Sequence, residues 1–469
     1  MELKKYKLAD IGKVITGKTP STSIAENYAW GTIPFYTPED VAKGLGMMGR
    51  NSRFISKTGF EEIASNTISG ESVLVGCIGS DMGNVAYSNI TCATNQQINA
   101  ITQFKNGIDP LYVYYLLSTM KSYFQKIAGS TTTPILPKSI FEEIEIHLPD
   151  MKKQKDVVSI LYALDRKIEL NKQINDNLEA MAKQLYDYWF VQFDFPNEEG
   201  KPYKASGGAM VWNEKLKREI PQGWHCGTLL DIAEYTNGLA CQKYRPTDNN
   251  KLPVIKIKEM HDGLSADTEW VKADIPDDVK VFDGDVLFSW SASLEVMLWA
   301  YGNGGLNQHI FKVTSKNGYP RSFYFYQLIH YVGVFKQIAE ARKTTMGHIT
   351  QDHLRQSTIA LPPNIDVANK LEEKLCPIFD AIVKNNQEIM ALTKQRDELL
   401  PLLMNGQASV NYHLSAKVYP LPIAYKKAMP IETNQTISNT FIQKFDNHTP
   451  SPCLQTSNHS IPKEERNDL

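Results

Sequence analysis

The chain contains an internal repeat, and this repeat constrains the fold more than any other feature of the sequence. LADIGKVITG at residues 8–17 corresponds to LLDIAEYTNG at residues 229–238. TTTPILPKSIFEEIEIHLP at residues 131–149 aligns without a gap with TTMGHITQDHLRQSTIALP at residues 344–362. Because similarity at a fixed period marks a repeated structural unit, the chain is predicted to consist of two copies of one module.

Each copy begins with mixed structure and ends in a long helix. Runs such as ESVLVGCI and DVLFSW, set between Gly and Asn turns, predict short strands. Apolar residues at three-to-four spacing predict one helical patch per copy, at residues 109–127 and 319–338. LPD or LPPN then introduces the long helix, which is predicted to run from about Met151 to Gln192 and from about Asp366 to Asn405.

The long helices carry an apolar stripe that is typical of a coiled coil. Spacings of three and four residues sustained over many turns favour a helix–helix seam over packing on a globular core, which remains the alternative. Asparagines in ELNKQINDN and VKNNQEIM predict a buried polar layer that fixes the register of the seam. The stripe comprises Ile160, Leu164, Ile168, Ile174, Leu178, Met181, Leu185 and Tyr188 in the first helix, and Leu375, Phe379, Ile382, Ile389, Leu392, Leu399 and Leu403 in the second.

These patterns predict an α+β fold. Two tandem-repeat mixed α/β domains are expected to be separated by two long antiparallel coiled-coil helices and related by a pseudo-two-fold axis. A helix of about 40 residues spans about 60 Å, so the pair is expected to act as a fixed spacer. The predicted segments are the first domain at 1–150, the first spacer helix at 151–194, a linker at 195–224, the second domain at 225–363, the second spacer helix at 364–407 and a largely disordered polar tail at 408–469.

Composition limits the class of protein. The net charge is -2, so any DNA-binding surface has to be a local basic patch. No run of about 18 apolar residues is present and the N-terminal residues lack the apolar core of a signal peptide, so a cytoplasmic protein is expected. The six cysteines are scattered without a C-x-x-C pair, which predicts reduced thiols.

No catalytic, cofactor or metal site is predicted. The sequence lacks G-x-S-x-G and H-E-x-x-H, and its LPPN at 361–364 lacks the Asn/Asp-Pro-Pro-aromatic pattern of DNA amino-methyltransferases. EEGK at 198–201 is similar to a metal-dependent nuclease motif, but its Pro- and Gly-rich surroundings favour a charged turn. HITQDH at 348–353 has no second ligand pair near it, which disfavours a zinc site.

GKVITGKT at residues 12–19 matches the phosphate-loop pattern G-x-x-x-x-G-K-[ST]. Such a loop joins a buried strand to the N-terminus of a helix. Here KKYKLADI before the motif is charged and helix-like, and Pro20 favours an extended conformation at the preceding threonine. The second copy keeps Gly238 but has leucine and alanine at the positions of Lys18 and Thr19. A turn of the module is therefore predicted instead of a nucleotide site.

Several segments carry a resemblance to a known family. They are the two-copy plan, the helix sequence LPDMKKQKDVVSILYALDRKIELNKQINDNLEAMAKQLYDYWF, the linker EIPQGW and the terminal LTKQRDELLPLLMNGQ. Together they resemble the DNA-specificity (S) subunit of a Type I restriction-modification system, over residues 1 to about 407. The polar tail at 408–469 departs from the usual end of the family near NGQ.

The resemblance implies a non-catalytic, sequence-specific DNA-binding subunit. Each module would be a target-recognition domain that reads one half of a split site in double-stranded DNA. The helices would space the modules and dock two methyltransferase (modification) subunits, with motor nuclease (restriction) subunits joining through that complex. Because the two modules differ in sequence, the site should be asymmetric and bipartite, with half-sites about 34 Å apart or a multiple of it. The alternative is a tandem coiled-coil scaffold that binds proteins without reading DNA.

Candidate DNA contacts are Lys, Arg, Ser and Thr for phosphates, and Arg, Lys, Asn and Gln for base edges. NQQ and NQH lie at matching positions of the two copies, where amides that close a turn are the structural alternative. ARKTT at 341–345 is a basic, hydroxyl-rich loop, whereas Ser139 and Glu142 fit the capping-box pattern. The candidates are Lys13, Lys18, Thr19, Ser80, Asn95, Gln96, Gln97, Thr131, Thr132, Thr133 and Lys138 in the first module, and Lys243, Arg245, Lys256, Lys258, Ser291, Asn307, Gln308, His309, Arg342, Lys343, Thr344 and Thr345 in the second.

Overall fold

The chain forms two compact units in the computed structural model. Among the described residues, unit 1 comprises residues up to 174 together with 388–407, and unit 2 comprises residues 175–387. Each of the two long helices therefore contributes residues to both units. The segment predicted as a disordered tail, 408–469, lies outside the described residues. The structure describes residues 3–47, 53–79, 81–129, 134–265, 267–291, 293–341 and 349–407.

Module 1 is the part of unit 1 that precedes the first long helix, and it contains three small sheets. Their strand orders are β1-β9, β2-β8-β5-β6 and β4-β3-β7, with only the β3–β7 pair parallel among the pairs described. In chain order the elements are β1 (Lys4–Lys7), α1 (Leu8–Ile11), β2 (Lys13–Thr16), β3 (Ile33–Tyr36), α2 (Pro38–Val41), β4 (Phe54–Ile55), α3 (Lys57–Glu62), β5 (Ser72–Gly76), β6 (Val85–Ser88), β7 (Ala93–Thr94), β8 (Ile98–Thr102), α4 (Pro110–Ser118), α5 (Lys121–Ile127), α6 (Lys138–Glu142) and β9 (Glu145–Leu148).

The central sheet of module 1 is buried on both faces. Alternate residues of a strand point to opposite faces, so Val73 packs with α4 and α5 while Leu74 packs against the small sheet that holds Tyr36. Asp109 caps α4 by accepting hydrogen bonds from the N–H groups of Leu111 and Tyr112. Burial on both sides explains why the strands are short, continuous apolar runs.

A hairpin follows the first long helix. It consists of β10 (Met210–Asn213) and β11 (Arg218–Pro221), paired antiparallel. Phe195 stacks on Tyr203 and on Trp224, with ring centroids 4.8 and 5.4 Å apart. The segment interpreted from the sequence as a linker is part of unit 2, with Ile220 and Trp224 in the apolar core of that unit.

Module 2 lies in unit 2 and repeats the strand order of module 1. Its sheets are β12-β21, β13-β20-β17-β18 and β15-β14-β19-β16, the last with one added strand. The mixed α/β content predicted from the repeat is thus confirmed. In chain order the elements are β12 (His225–Thr228), α8 (Leu229–Ile232), β13 (Ala233–Asn237), β14 (Lys251–Ile255), α9 (Ile257–Asp262), β15 (Trp270–Lys272), β16 (Lys280–Val281), β17 (Val286–Ser289), β18 (Glu295–Leu298), β19 (Gly304–Leu306), β20 (Ile310–Ser315), α10 (Arg321–Ala341), α11 (Gln351–Gln356) and β21 (Thr358–Leu361).

The two long helices are α7 (Met151–Tyr186), which continues into a π-helical turn at Asp187–Val191, and α12 (Asp366–Met404). Both begin at the residues predicted from the sequence. No helix in the described part of the chain combines the length and apolarity needed to cross a membrane.

Within each unit, polar contacts join the two long helices. In unit 1, Asn171 donates to the carboxylate of Glu388 at 2.8 Å. In unit 2, Asn175 donates to Asn386 at 2.8 Å and accepts from Asn385 at 2.9 Å. Asn171 and Asn175 are buried, so the polar layer predicted from the asparagines is present in each unit.

The apolar stripe of α7 differs from the prediction at two positions. The apolar spacing predicts Ile174 and Met181 on the seam, but both side chains are exposed, at 46% and 47%. Asn175 and Ala182, one residue further along the chain, are buried instead. The buried face of α7 therefore includes a polar and a small residue, which the spacing of large apolar residues does not predict.

Candidate nucleic-acid interface

In module 1, the turn before β8 is closed by its own amide side chains. Asn95 donates from Nδ2 to Gln97 Oε1 at 2.9 Å, and the N–H of Gln97 donates to Asn95 Oδ1 at 3.2 Å. Thr19 donates from its hydroxyl to Gln96 Oε1 at 2.9 Å. The structure thus brings four of the candidate residues together, and Asn95 and Gln97 have the turn-closing role considered for them.

Module 2 repeats this turn with different side chains. The N–H of His309 donates to Asn307 Oδ1 at 3.3 Å, as Gln97 does to Asn95. The His309 ring packs on Trp290, with centroids 5.6 Å apart, and lies 3.3 Å from the amide nitrogen of Gln308. One backbone scaffold therefore carries two different sets of side chains.

The glycine shared by the two copies is required by close backbone approach. A Cβ on Gly17 would lie 2.2 Å from the carbonyl oxygen of Asn95, and a Cβ on Gly238 would lie 2.3 Å from that of Asn307. Any other residue would collide with the turn. The glycine belongs to the module and not to a phosphate loop.

The local structure also excludes a phosphate loop at residues 12–19. Lys13–Thr16 form strand β2, and the following residues to Thr19 belong to no helix. The KKYK segment, interpreted as helix-like, is strand β1, because it pairs with Glu145–Leu148; only the next four residues form a helical turn. Lys13 and Lys18 are exposed and available to an anion.

Lys138 is the first residue of α6 and pairs with Glu142 at 3.5 Å. The N-cap of this helix is Pro137. Ser139 therefore lies inside the helix, and the capping box predicted for Ser139 and Glu142 is wrong.

The basic candidates of module 2 differ in their exposure and in their partners. Lys243 and Arg245 are exposed on the segment between β13 and β14. Lys256 pairs with Glu269, and Lys258 lies 4.0 Å from Asp267. Ser291 is buried and does not face solvent. Eight further candidates lie outside the described residues, namely Ser80, Thr131, Thr132, Thr133, Arg342, Lys343, Thr344 and Thr345.

Charged segments considered as catalytic or metal sites have structural roles. EEGK is a turn in which Asn197 accepts from the N–H groups of Glu199 and Lys201, and Lys201 pairs with Glu199 at 2.8 Å. His353 Nδ1 lies 3.0 Å from the N–H of Thr350, at the start of α11. Within the described ranges, no cluster of three or more His, Cys, Asp or Glu side chains is arranged to hold a metal ion.

The buried cysteines next to the two turns are packing residues. Burial raises the pKa of the Cys77 thiol to about 12 although Asn99 donates a hydrogen bond to it, and burial raises the pKa of Cys241 to about 11. A thiol with a raised pKa stays protonated near neutral pH and is a poor nucleophile.

The sequence interpretation missed a group of side chains on the outer face of β14 and β15. Lys251, Trp270 and Lys272 share this face with the adjoining Tyr244. The alternation of apolar residues with these side chains in KLPVIK and EWVKAD is typical of strands with one exposed face. Each run is too short for this alternation to predict a strand from the sequence.

The fold and the surfaces described above define a chain with two copies of one module, each followed by a long helix. The family model for the Type I restriction modification DNA specificity domain matches residues 1–180 and 221–396. The chain belongs to this family, which confirms the resemblance read from its sequence. It is a specificity subunit, the non-catalytic component of a Type I restriction-modification system through which the DNA sequence is recognised.

Similar proteins cover between 64% and 86% of the chain. The MjaIX specificity subunit of Methanocaldococcus jannaschii is 29% identical over 418 residues, covering 86% of this chain and 93% of that protein. The HindI specificity subunit of Haemophilus influenzae is 23% identical over 376 residues, covering 64% of this chain and 78% of that protein. The crystal structure of the S subunit from M. genitalium shares the fold, with a TM-score of 0.53 at 13% identity, over 86% of this chain and 96% of that one.

Proposed function

We propose that each module reads one half of an asymmetric, bipartite site in double-stranded DNA, and that the long helices set the distance between the half-sites. In this proposal the same helices dock two methyltransferase subunits, and motor nuclease subunits join through them. The observation that carries the proposal is the repeated scaffold: two modules with one strand order present different side chains at equivalent positions.

The different side chains support an asymmetric target. At the turn beside the central sheet of module 1, Thr19 donates to the exposed Gln96 at 2.9 Å. At the equivalent turn of module 2, the amide nitrogen of Gln308 lies 3.3 Å from the half-buried His309 ring. Base edges are distinguished by the pattern of donors and acceptors offered to them, so two modules with different patterns are expected to select different half-sites.

The long helices have the properties expected of spacers that also dock partners. Buried asparagines pair the two helices within each unit, and a buried polar residue on a helix seam fixes the register. Leu170 and Ile174 leave an exposed apolar patch on the part of α7 that lies in unit 1. Exposed apolar patches favour protein partners, which supports the docking of methyltransferase subunits there.

Selection from random DNA tests this proposal against a scaffold that binds proteins only. The purified chain, with its methyltransferase partner, is incubated with random-sequence duplexes at low salt, and the bound fraction is sequenced. We expect a split motif with two different halves and a constant gap. If no sequence is enriched, the chain does not read DNA, and the scaffold alternative is supported.

A further inference from the structure

The outer face of β14 and β15 in module 2 combines exposed aromatic rings with lysines. Lys251 is the direct cross-strand partner of Lys272, and Pro253 is the partner of Trp270. Alternate residues of a strand point to opposite faces, so these four side chains share one face of the pair. On the other face, Val271 is buried in the core. The lysines and the tryptophan are therefore not needed to hold the module together.

Each lysine on this face lies over an aromatic ring. Lys251 Nζ is 4.5 Å from the centroid of the Trp270 ring, and Lys272 Nζ is 5.7 Å from that of Tyr244. These cation–π contacts hold flexible ammonium groups over fixed positions. Trp270 is nevertheless 45% exposed, so a partner can reach both the ring and the charges.

The charges on this face favour an anion. Two lysines placed directly opposite each other across a strand pair repel, which is destabilising in the free protein. A phosphate between them would remove this repulsion. Lys243 and Arg245 are exposed on the segment that leads to β14 and add to the positive charge.

The carboxylates near this face do not cancel its positive charge. Glu269 pairs with Lys256. The hydrogen bond from Lys256 and its positive charge lower the pKa of Glu269 below its usual value, and Arg245 makes a smaller contribution. Asp274 lies 4.0 Å from Lys272 and is almost fully exposed. The chain as a whole has a net charge of -2, so this concentration of positive charge does not follow from composition.

Module 1 has an aromatic side chain at the same register position. Phe54 in β4 is opposite Pro34, as Trp270 is opposite Pro253, and Phe54 is 41% exposed. Two modules that differ elsewhere thus both present an exposed ring from this edge strand. A shared exposed ring without a core role indicates a shared contact.

We infer that the β14–β15 face of module 2 binds the backbone of duplex DNA, with Lys251 and Lys272 on phosphates and Trp270 against the groove wall between them. This inference rests on the proposed function, because it adds a sequence-independent contact to a module that reads a half-site. Backbone contacts of this kind position a protein on its site and dominate the salt dependence of binding.

The test measures affinity for a duplex at several salt concentrations, with the full chain in complex with its methyltransferase subunits. Lys251→Gln combined with Lys272→Gln is expected to weaken binding to every duplex and to lower the slope of log affinity against log salt by about two. Trp270→Ala is expected to weaken binding about tenfold with the slope unchanged, while Trp270→Phe retains most of the affinity.

The hairpin β10–β11 supplies the control. Trp212 is 58% exposed there, and Lys217 pairs with Glu214 at the turn. Trp212→Ala combined with Lys217→Gln should leave both affinity and slope as in the unmodified protein. Thermal unfolding of every variant confirms that the fold is retained, as expected for changes on a solvent face.

Three outcomes would overturn the inference. They are unchanged affinity and slope in the β14–β15 variants, an equal loss in the hairpin control, and a loss confined to single-stranded DNA. Failure of the proposed function is a different result, since the unmodified complex would then enrich no sequence. If the unmodified complex selects a split motif while the β14–β15 variants bind normally, only this inference fails.

Discussion

Replacing Asp165 by alanine is expected to lower the free energy of unfolding of unit 1 by about 2 to 3 kcal/mol. Asp165 is buried, accepts from Arg396 at 2.9 Å and accepts from the hydroxyl of Tyr115 at 2.7 Å. Burial and the charge of Asp165 raise the pKa of Tyr115 well above its usual value. Without the carboxylate, the buried hydroxyl of Tyr115 loses its partner and the guanidinium of Arg396 keeps only Asp397.

Hydrogen exchange at increasing denaturant concentration, followed in peptides from α4 and the unit 1 part of α7, measures this loss. Lys5→Ala is the control, because Lys5 and Glu145 form an exposed pair at 2.7 Å, and an exposed pair contributes little to stability. Replacing Asp165 and Arg396 together by leucine should restore much of the stability. A loss at Asp165→Ala no larger than that of the control would show that the buried pair does not join the helices of unit 1.

Adding seven residues to each long helix is expected to lengthen the gap between the half-sites by about three base pairs. The insertions follow Ile174 in α7 and Gln387 in α12, at the border between the two units. Seven residues add about 10 Å of helix, which equals about three steps of the DNA duplex. A seven-residue insertion also keeps the same face of each helix on the seam.

Selection from random duplexes, repeated with the lengthened protein, measures the gap. Insertion into α7 alone is the matched control and should abolish the split motif, since it displaces the asparagine contacts that pair the helices. Unchanged half-sites with a longer gap would support a spacer role. An unchanged gap with altered half-sites would contradict it.

The repeat and the helix starts could be predicted because they depend on local signals. LPD and LPPN stop the preceding strand, so the starts of α7 at Met151 and α12 at Asp366 follow from a few residues. The strands β5 and β17 are continuous apolar runs, which reflects burial on both faces. These features need no knowledge of distant contacts.

The details that the sequence did not predict depend on distant partners. Asp165 interrupts an apolar stripe, and only its contact with Arg396, far along the chain, explains its burial. Ile174 was placed on the seam because it is apolar, but neighbouring Asn175 is the residue that meets the second helix. The turn-closing amides were considered among the candidates, whereas the β14–β15 face was missed because its residues come from two separate segments.

Single-molecule methylation mapping of the source genome tests the central claim most directly. Comparison of the parent strain with a strain that lacks this gene is expected to show one asymmetric, bipartite methylated motif that disappears on deletion. Restoring the gene should restore the motif, and the version with lengthened helices should move methylation to sites with a longer gap. A methylation pattern that is identical with and without the gene, in a strain where its methyltransferase subunit is produced, would contradict the account.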